Sequence, residues 1–334
     1  MSSLFESVNR LIEGFRNTAL IATAVRLKII DGLSSEPRSA GELAAALKLD
    51  QMGLTRLLRG LAVLEIVEEQ PALDPRFSLT PAGVLLRSGN HLASYALLCE
   101  TQYLPAWTNM EIALREAGNP FQAAFGKPVW QYRHENPEAG ALFNQWLHAQ
   151  SSTLVDDLVA ALDFSSCRQI ADIGGGKGIL LSRILQQVPG CRGLLGEQPS
   201  VLDQADLFLR ECRLRDRCDL VPIDFFVSVP AGCDTYLLKS VLHDWNDTDA
   251  LRILASLREA MSPGSRLFII ERTLPALARE DPATVWLDLM MMNVTGGRER
   301  TLPEYEALLA AARLAIVRLV RTPSNFHVMK AAGT

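Results

Sequence analysis

The amino-acid sequence predicts an α/β fold in which a mostly parallel, seven-stranded sheet follows a helical region. Strands and helices alternate from Cys167 onward, which is typical of a parallel sheet with helices on both faces. The candidate strands are residues 169–173, 192–196, 218–223, 234–239, 266–271, 315–321 and 326–331. Only a short turn over 322–325 joins the last two strands, so we expect one edge of the sheet to be antiparallel.

A glycine-rich turn follows the first of these strands. The run Asp172-Ile173-Gly174-Gly175-Gly176-Lys177-Gly178 leads from the strand into a helix that we predict over 179–187. Glycine has no Cβ, so it permits positive φ and lets a ligand lie against bare backbone. The next strand ends in Glu197, which is placed to accept hydrogen bonds from a ribose. The pattern predicts a nucleoside-cofactor site beyond the carboxyl ends of the strands.

The spacing of these glycines argues against two common nucleotide sites. A dinucleotide fingerprint requires G-x-G-x-x-G, but Ile179 stands where the third glycine would be. A phosphate-binding P-loop requires Ser or Thr after its lysine, and Gly178 follows Lys177 here. The remaining pattern, D-x-G-G-G-x-G, suits a cofactor that has no phosphates and carries a zwitterionic amino-acid tail.

Two later segments extend the predicted cofactor site. A third apolar run ends in Asp224-Phe225-Phe226, where the acid can accept from an adenine amine and Phe225 can cover the ring face. A fourth, buried-looking strand stops at Lys239 and is followed by His243-Asp244-Trp245, which leads into a helix.

Together these motifs resemble those of the S-adenosylmethionine-dependent small-molecule O-methyltransferases. More narrowly, they are similar to the group that contains the plant caffeate and flavonoid enzymes and their bacterial antibiotic and phenazine relatives. The motifs D-x-G-G-G-x-G, D-F-F, L-K-x-x-x-H-D-W and G-G-x-E-R-T occur in the family's order, and the resemblance covers essentially the whole chain. It implies a class I methyltransferase with a Rossmann-like sheet, S-adenosyl-L-methionine as cofactor with S-adenosyl-L-homocysteine as product, and methylation of a hydroxyl on a small aromatic molecule.

The resemblance also implies catalytic roles for single residues. His243 is the expected general base, since imidazole titrates near neutrality and lies here just beyond a strand end. Glu271 and Glu299 match the family's acids that brace this histidine. Asp244 matches the motif as well, and its role stays open between helix capping and substrate contact.

The expected ligand contacts are carried over in the same way. The expected cofactor-binding residues are Asp172, Gly174, Gly176, Glu197, Asp224, Phe225, Lys239 and Ser151. The expected substrate-binding residues are Leu147, Trp286, Met290 and Asn293, although a methionine-rich helical stripe is more often plain core. The chain departs from the family pattern at Leu147, where Met is usual, at Glu197, where Asp is commoner, and at Ile223, which replaces a glycine.

Residues 1–100 show a helical, winged-helix pattern. Apolar residues from Leu4 to Phe15 fall on one helical face, 20–33 continues helical, and Ser39 and Asp50 are placed to cap two further helices. Segments 65–69 and 76–79 are expected to pair as the wing. Residues 101–165 are helical and aromatic-rich and are expected to contribute to a substrate pocket, with a catalytic domain over 166–334.

A winged helix raises the alternative of a DNA-binding regulator. The third helix would read the bases, and it carries Arg56 and Arg59 opposite an acidic wing at Glu65, Glu68 and Glu69. This is a poor match to the basic footprint that base readout requires. In the resembled family the region is a dimerisation domain, so we expect a homodimer formed through it and no nucleic-acid partner.

Composition agrees with a folded enzyme. The formal charge of −5 gives no electrostatic reason to bind nucleic acid, and 48% hydrophobic residues argue against disorder. The N-terminus lacks the features of a signal peptide, and the six cysteines are scattered without a C-x-x-C pair, so we expect reduced thiols in a cytoplasmic protein. No metal-ligand cluster or membrane span is visible in the sequence, and neither a metal nor a membrane partner is expected.

The reaction itself leaves alternatives. Relatives in the resembled family methylate nitrogen, or have become hydroxylases or decarboxylases that retain the cofactor. The presence of His243, Glu271 and Glu299 favours removal of a proton from oxygen without excluding these reactions. A winged-helix regulator with the cofactor site as a sensor is the remaining alternative.

Overall fold

The computed structural model describes residues 2–164 and 166–334. The chain divides into two compact units. The first contains the residues up to Pro105 together with Glu135–Leu147, and the second contains Ala106–His134 and His148–Thr334. The domain boundaries placed from the sequence near residues 100 and 165 stay predictions.

Helices and strands account for most of the described chain. The helices are α1 (Ser2–Ile12), α2 (Phe15–Arg26), α3 (Ile29–Gly32), α4 (Ala40–Leu47), α5 (Gln51–Val63), α6 (Pro81–Val84), α7 (His91–Leu98), α8 (Leu104–Trp107), α9 (Glu111–Glu116), α10 (Pro120–Phe125), α11 (Val129–Glu135), α12 (Pro137–Ala160), α13 (Ile179–Gln187), α14 (Pro199–Glu211), α15 (Asp247–Ala260), α16 (Pro282–Val294) and α17 (Leu302–Ala311). The strands are β1 (Arg38–Ser39), β2 (Val67–Gln70), β3 (Arg76–Leu79), β4 (Gln169–Ile173), β5 (Arg192–Glu197), β6 (Cys218–Pro222), β7 (Thr235–Lys239), β8 (Arg266–Glu271), β9 (Leu314–Arg321) and β10 (His327–Gly333).

The first unit is a winged helix. Its three-stranded antiparallel sheet has the order β1-β3-β2, and the pairing of β2 with β3 confirms the predicted wing. Ser39 and Glu42 form the predicted capping box at the start of α4, and Asp50 accepts the Gly53 N–H at 2.6 Å to cap α5. The core of this unit gathers leucines of α4 and α5 around Phe77 of the wing.

Two helical predictions in this unit are wrong in detail. The helix expected over 20–33 is interrupted at Lys28, whose φ of 59° is left-handed, so α2 and α3 are separate. The run from Leu4 to Phe15 divides at Gly14, and Phe15 begins α2. The apolar face of α1 is exposed in this chain and joins no core. The apolar spacing predicted from the sequence is therefore present on α1 from Leu4 to Ile12, while Phe15 lies on α2.

The second unit is built on the predicted seven-stranded sheet, with strand order β6-β5-β4-β7-β8-β10-β9. The pairs β4–β5, β5–β6, β4–β7 and β7–β8 are parallel, and β10 runs antiparallel to both β8 and β9. The antiparallel edge expected from the 322–325 turn is confirmed. One face of the sheet packs with α13 and α14, and the other packs with α15 and α17.

The topology decides where functional groups collect. Because β4, β5, β7 and β8 are parallel neighbours, their carboxyl ends meet along one edge of the sheet. Gly174, Glu197, Lys239 and Glu271 all stand at that edge, although they are far apart in the chain. None of the helices in the described chain is long and apolar enough to cross a membrane.

Candidate active site

The turn after β4 gives the site an open stretch of backbone. Gly174 has φ 67° and Gly176 has φ 59°, a conformation that side-chain-bearing residues rarely adopt. A Cβ added at Gly176 would meet no atom within 4 Å, so this glycine faces open space. The Gly174 N–H donates to the carbonyl of Gly196 at 2.8 Å, which fixes the turn to the end of β5. The predicted close approach of a ligand to bare backbone therefore has room here.

Asp172 is a buried carboxylate beside this turn. Neither of its oxygens has a hydrogen-bond partner among the described residues, which is uncommon for a buried polar group. Burial raises the pKa of Asp172 to about 7, although the charge of Lys239 acts against this shift. An orphaned acceptor of this kind suits a ligand that brings a cationic or hydrogen-bonding group, such as the amine of an amino-acid tail.

Glu197 and Lys239 both interact electrostatically with Asp172. Burial raises the pKa of Glu197 to about 7, with the Gln198 N–H opposing and the Asp172 charge adding to the shift. Burial lowers the pKa of Lys239, while the charges of Asp172 and Glu271 raise it. The structure thus brings together three expected cofactor residues around the ends of β4, β5 and β7.

Asp224 and Phe225 lie in the loop after β6. Asp224 Oδ1 accepts the Phe226 N–H at 2.9 Å, and its side chain stays exposed. Phe225 packs edge-on against Phe226, with centroids 4.9 Å apart, and its Cε1 lies 3.8 Å from where a Gly174 Cβ would be. An aromatic face therefore stands next to the glycine turn, as expected for a residue that covers an adenine.

The departure at Ile223 has a packing explanation. Its Cδ1 lies 2.7 Å from where a Cβ of Gly196 would be, and the side chain packs on the core face of the sheet. Ile223 thus fills space that Gly196 leaves open.

His243 stands in a short 3₁₀ turn over Leu242–Asp244, between β7 and α15. Its Nδ1 lies 2.7 Å from Glu299 Oε1 and 3.8 Å from Glu271 Oε2. The side chain of His243 is 12% exposed, whereas both carboxyl groups are fully buried. The structure therefore brings together the histidine and the two acids that the sequence pointed to.

Glu271 supports the turn as well as the ring. Its Oε1 accepts the backbone N–H groups of Val241 and Leu242 at 3.0 and 2.9 Å. Its Oε2, the atom nearer to His243, has no hydrogen-bond partner among the described residues. The two acids are thus not equivalent, since Glu299 bonds the ring directly and Glu271 holds the backbone that carries it.

The protonation of His243 follows from its surroundings. Burial lowers the pKa of His243, but the charges of Glu271, Glu299 and Asp244, together with the hydrogen bond to Glu299, raise it to about 10. Burial in turn raises the pKa of Glu271 to about 7, against the opposing effect of His243. The imidazolium form is therefore favoured at neutral pH in the chain alone.

Asp244 does not cap the following helix. Asn246 does so, because its side chain accepts the Asp249 N–H at 3.0 Å. Asp244 Oδ1 lies 3.9 Å from His243 Nε2, and burial raises the pKa of Asp244 to about 6, with His243 and Arg133 opposing. Of the two roles left open, capping is wrong, and contact with substrate stays a prediction.

The expected substrate residues are more dispersed. Trp286 is exposed on α16, with its ring 6.2 Å from that of Trp107. Asn293, on the same helix, is fully buried, and its Oδ1 has no hydrogen-bond partner within the part of the chain described. Met290 is half-buried on α16. Their contacts with a substrate stay predictions.

Ser151 and Leu147 also keep their expected roles only as predictions. Ser151 is half-buried on α12, within the second unit. Leu147 is the last residue of the segment assigned to the first unit.

Three contributors were missed by the sequence reasoning. Arg133 of α11 acts on the pKa of Asp244, and nothing in its local sequence indicates this. Asp288 of α16 accepts the Glu299 N–H at 2.8 Å. Gly297 approaches the His243 turn so closely that a Cβ there would lie 2.1 Å from the His243 carbonyl oxygen. The paired glycines of the G-G-x-E-R-T motif were the available signal for the last of these.

One further property of the cluster was not expected. The ligand atoms of His243, Glu271 and Glu299 lie within 4.8 Å of one another, a spacing that a metal ion could also use. The sequence had shown no such cluster, because the three residues come from different segments. The short contact between Nδ1 and Glu299 already explains the arrangement as a hydrogen-bonded histidine.

The chain matches two family models. Residues 107–314 match the O-methyltransferase domain, and residues 9–89 match the O-methyltransferase dimerisation domain. The sheet, the glycine turn and the acids at the strand ends are those of a class I methyltransferase. The chain belongs to the O-methyltransferase family, and it is an S-adenosylmethionine-dependent O-methyltransferase.

Individual relatives agree with this assignment. The mitomycin biosynthesis 6-O-methyltransferase of Streptomyces lavendulae is 36% identical over 323 residues, which cover 94% of this chain and 90% of that protein. The solved structure of the mitomycin 7-O-methyltransferase MmcR superposes with a TM-score of 0.94 at 33% identity, covering 100% of this chain and 98% of that one. Some relatives are named as N-methyltransferases.

The cofactor is supported in the same way. The calicheamicin biosynthesis methyltransferase CalO1, solved in its S-adenosylhomocysteine-bound form, matches with a TM-score of 0.79 at 29% identity and covers 100% of this chain and 99% of that one. The cofactor of this chain is S-adenosyl-L-methionine. The open backbone at Gly176 and the orphaned oxygens of Asp172 fit such a molecule.

Proposed function

We propose that this enzyme methylates a hydroxyl group of a small aromatic, secondary-metabolite-like molecule, with His243 as the general base braced by Glu271 and Glu299. The observation that carries the proposal is the 2.7 Å contact between His243 Nδ1 and Glu299 Oε1. Because Nδ1 is engaged there, Nε2 is the ring nitrogen left to accept a proton. The names of relatives that act on mitomycin and phenazine compounds support the substrate class.

The chain's own residues suit the cofactor. We assign Gly174, Gly176 and Asp172 to the methionine end and Glu197 to the ribose. Asp224 and Phe225 would hold the adenine, Lys239 would lie near the adenosine, and Ser151 would contact the carboxylate. Burial raises the pKa values of both Asp172 and Glu197, and the Asp172 oxygens have no hydrogen-bond partner among the described residues, so a bound ligand would supply one.

S-adenosylmethionine supplies a methyl group that is activated by its sulfonium. His243 Nε2 would accept the hydroxyl proton of the acceptor as its oxygen takes the methyl group, and S-adenosyl-L-homocysteine would leave as the product. Glu299 holds the ring in one orientation, and the charges of Glu271 and Glu299 stabilise the imidazolium that results. A positioned general base of this kind contributes a factor of about 10²–10⁴ in rate.

The pKa of His243 sets a condition on this role. At about 10, it leaves the neutral imidazole as a minor species at pH 7, and only that species accepts the proton. The positive sulfonium of S-adenosylmethionine bound at these strand ends would disfavour the imidazolium of His243 and increase the fraction of neutral imidazole. The rate should therefore rise with pH and with occupancy of the cofactor site.

The test is methyl transfer from labelled S-adenosylmethionine to a panel of phenols, flavonoids, hydroxyphenazines and anthracyclines. The expected result is transfer by the wild type that His243→Gln abolishes, while both proteins bind the cofactor equally. His134→Gln is the matched control, since His134 is exposed on α11. Transfer that survives in His243→Gln would refute the general-base role.

Two other reactions of the same fold are alternatives to this proposal. Methylation of nitrogen is favoured by relatives named for it. A hydroxylation or decarboxylation that retains the cofactor is the other. An amine panel under the same assay separates nitrogen from oxygen acceptors. Conversion of substrate without transfer of label would indicate a reaction that is not a methylation.

A winged-helix regulator is a weaker alternative. Arg59 of α5 is paired with the wing acid Glu69, with Nε 3.1 Å from Oε1, so one of the two basic groups of the presumed reading helix is neutralised. We propose that the chain has no nucleic-acid partner. Retardation of genomic DNA fragments in a gel-shift experiment at physiological salt would contradict this.

We further propose that the chain forms a homodimer through its N-terminal region and acts in the cytoplasm. The match to a dimerisation domain supports the first part. The exposed apolar face of α1 also supports it, because a folded monomer rarely leaves such a face uncovered. The free thiols of the cysteines agree with a reducing compartment.

A further inference from the structure

Arg300 is a buried guanidinium to which the proposed chemistry gives no role. Its side chain is only 1% exposed, although its ion-pair partner Asp247 is 56% exposed. Nε donates to Asp247 Oδ1 at 2.9 Å, and the ring of Tyr305 lies 5.9 Å from the guanidinium carbon. Burying a charge is costly unless it is paired and fully hydrogen-bonded, so a buried arginine invites a structural explanation.

The explanation lies in two backbone carbonyls. Nη1 donates to the carbonyl of Leu242 at 2.9 Å, and Nη2 donates to the carbonyl of Trp245 at 2.9 Å. These two carbonyls lie on either side of His243 and Asp244 in the chain. The planar, rigid fork of arginine therefore spans the turn that carries the proposed base, which the single ammonium of a lysine could not do.

The segment that contains Arg300 holds the same turn at two further points. Glu299, the preceding residue, bonds the His243 ring, and the Arg298 N–H donates to the His243 carbonyl at 2.9 Å. Gly297 lies so close to this carbonyl that no side chain fits between them. Ring and backbone of His243 are thus fixed by consecutive residues of one segment.

The opposite side of the turn is held by Glu271, which accepts the N–H groups of Val241 and Leu242. Glu271 therefore engages donors of the turn, while Arg300 engages its acceptors. Without Arg300, the Trp245 carbonyl would lose its side-chain donor, and the Leu242 carbonyl would keep only the 3.3 Å contact from the Trp245 N–H within the turn.

We propose that Arg300 is a positioning residue for His243, which keeps Nδ1 within hydrogen-bond distance of Glu299 by fixing the Leu242–Trp245 turn. The proposal rests on the general-base role proposed above. It predicts that loss of the Arg300 guanidinium displaces the His243 imidazole and leaves cofactor binding unchanged. A misplacement of about 1 Å can lower a rate by about 10²-fold.

The test compares Arg300→Lys and Asp247→Asn with wild type. Arg300→Lys should lower kcat by about 10²-fold while KM for S-adenosylmethionine changes less than about 2-fold. The acidic limb of its pH–rate profile should move to lower pH, because a ring away from Glu299 loses the interaction that raises its pKa. Asp247→Asn, which keeps the arginine and alters an exposed side chain, should show the same changes to a smaller extent.

The matched control is Arg266→Met. Arg266 also binds a carbonyl and a hydroxyl, those of Asp163 and Thr235, but at the other end of β8 from Glu271. It should keep both kcat and the pH profile. An unfolding titration of each variant separates loss of fold from loss of rate, and Asp247→Asn keeps the test decisive if Arg300→Lys does not fold.

The double variant Arg300→Lys/His243→Gln separates this inference from the function on which it rests. If Arg300 acts through His243, the double variant should be no slower than His243→Gln alone. Full activity of His243→Gln overturns the general-base proposal itself. If His243→Gln keeps only a small residual rate, an unchanged pH profile in Arg300→Lys, or multiplicative losses in the double variant, overturns the positioning role alone.

Discussion

Glu299 and His243 are joined by a 2.7 Å contact across 56 positions of the chain. The contact engages Nδ1 and combines with two further acids to raise the pKa of His243 to about 10. A base with this pKa should give a kcat/KM that rises with pH through the neutral range toward about 10. The measurement is a pH profile from 6 to 10 for a methyl acceptor that does not ionise there, and a flat profile would contradict the assignment.

Glu299→Gln should move that profile. Removing a carboxylate destabilises the imidazolium, so the pKa of His243 falls and the acidic limb shifts to lower pH. The maximal rate should fall as well, because an amide holds the ring less strongly than a charged acceptor. Glu304→Gln is the matched control, since Glu304 caps α17 from the same segment of chain without contacting the ring. An acidic limb at the same pH in Glu299→Gln and wild type would contradict the proposed effect of Glu299 on the pKa of His243.

The free energy of unfolding should depend on whether the side chain at position 271 can accept hydrogen bonds, and less on whether it is charged. Glu271 Oε1 accepts two buried N–H groups, and an amide oxygen can accept both. Glu271→Leu leaves them unpaired, at about 1–3 kcal/mol for each buried donor. We therefore expect Glu271→Leu to have a lower free energy of unfolding than Glu271→Gln, as measured in urea. Equal stability of the two variants would show that Glu271 does not hold the turn.

Gly176→Ala should damage cofactor binding more than it damages the fold. The left-handed φ of 59° costs a side-chain-bearing residue about 1–2 kcal/mol, and the new methyl group enters the space assigned to the cofactor. Gly264→Ala is a close control, because Gly264 has φ 88° and a Cβ there would also meet no atom within 4 Å. Gly264 precedes β8, at the end of that strand away from Glu271. Calorimetry should give a much weaker Kd for S-adenosylmethionine only in Gly176→Ala. Equal affinities would place the cofactor elsewhere.

Leu11→Lys should shift the oligomeric state toward monomer. Leu11 is 80% exposed on the apolar face of α1, where a charge opposes association through that face. The other exposed apolar residues of this face are Leu4, Phe5, Val8 and Ile12. Leu114→Lys, a charge added at another exposed leucine, should leave the mass found by light scattering unchanged. A Leu11→Lys protein with the wild-type mass would exclude this surface.

Chelation should leave methyl transfer intact. The three ligand atoms of His243, Glu271 and Glu299 are close enough for a metal, but the proposed mechanism uses them as a base and its supports. Assays after dialysis against EDTA, with and without added Mg²⁺ or Zn²⁺, distinguish a metal site from a general base with two supporting acids. Loss of activity that a metal restores would assign the cluster to metal binding.

Much of this architecture could be predicted from sequence because it is locally encoded. The strands β4 to β8 are short apolar runs, and the Ser39 and Asp50 caps lie within three residues of the N–H groups they accept. The glycine turn after β4 could also be predicted, because the positive φ values that it needs favour glycine. His243, Glu271 and Glu299 were identified through a family pattern, and no local rule would have linked them.

The unpredicted features depend on contacts between distant segments. The break at Lys28 opposes a favourable helical pattern, so propensity alone continues the helix there. The close approach of Gly297 to the His243 carbonyl and the influence of Arg133 on Asp244 exist only once the sheet has formed. The different tasks of Glu271 and Glu299 follow from which carboxylate oxygen meets which donor, and no sequence pattern contains that information.

The strand order also has a consequence for how the molecule assembles. β9 pairs only with β10, and β10 lies between β9 and β8, so β9 has no place in the sheet until the segment after it has arrived. During synthesis, β8 is therefore an open edge of the sheet until β10 has left the ribosome. Because Glu271 ends β8 and pairs with His327, the part of the sheet beside the proposed base is complete only after the last residues of the second unit have been synthesised.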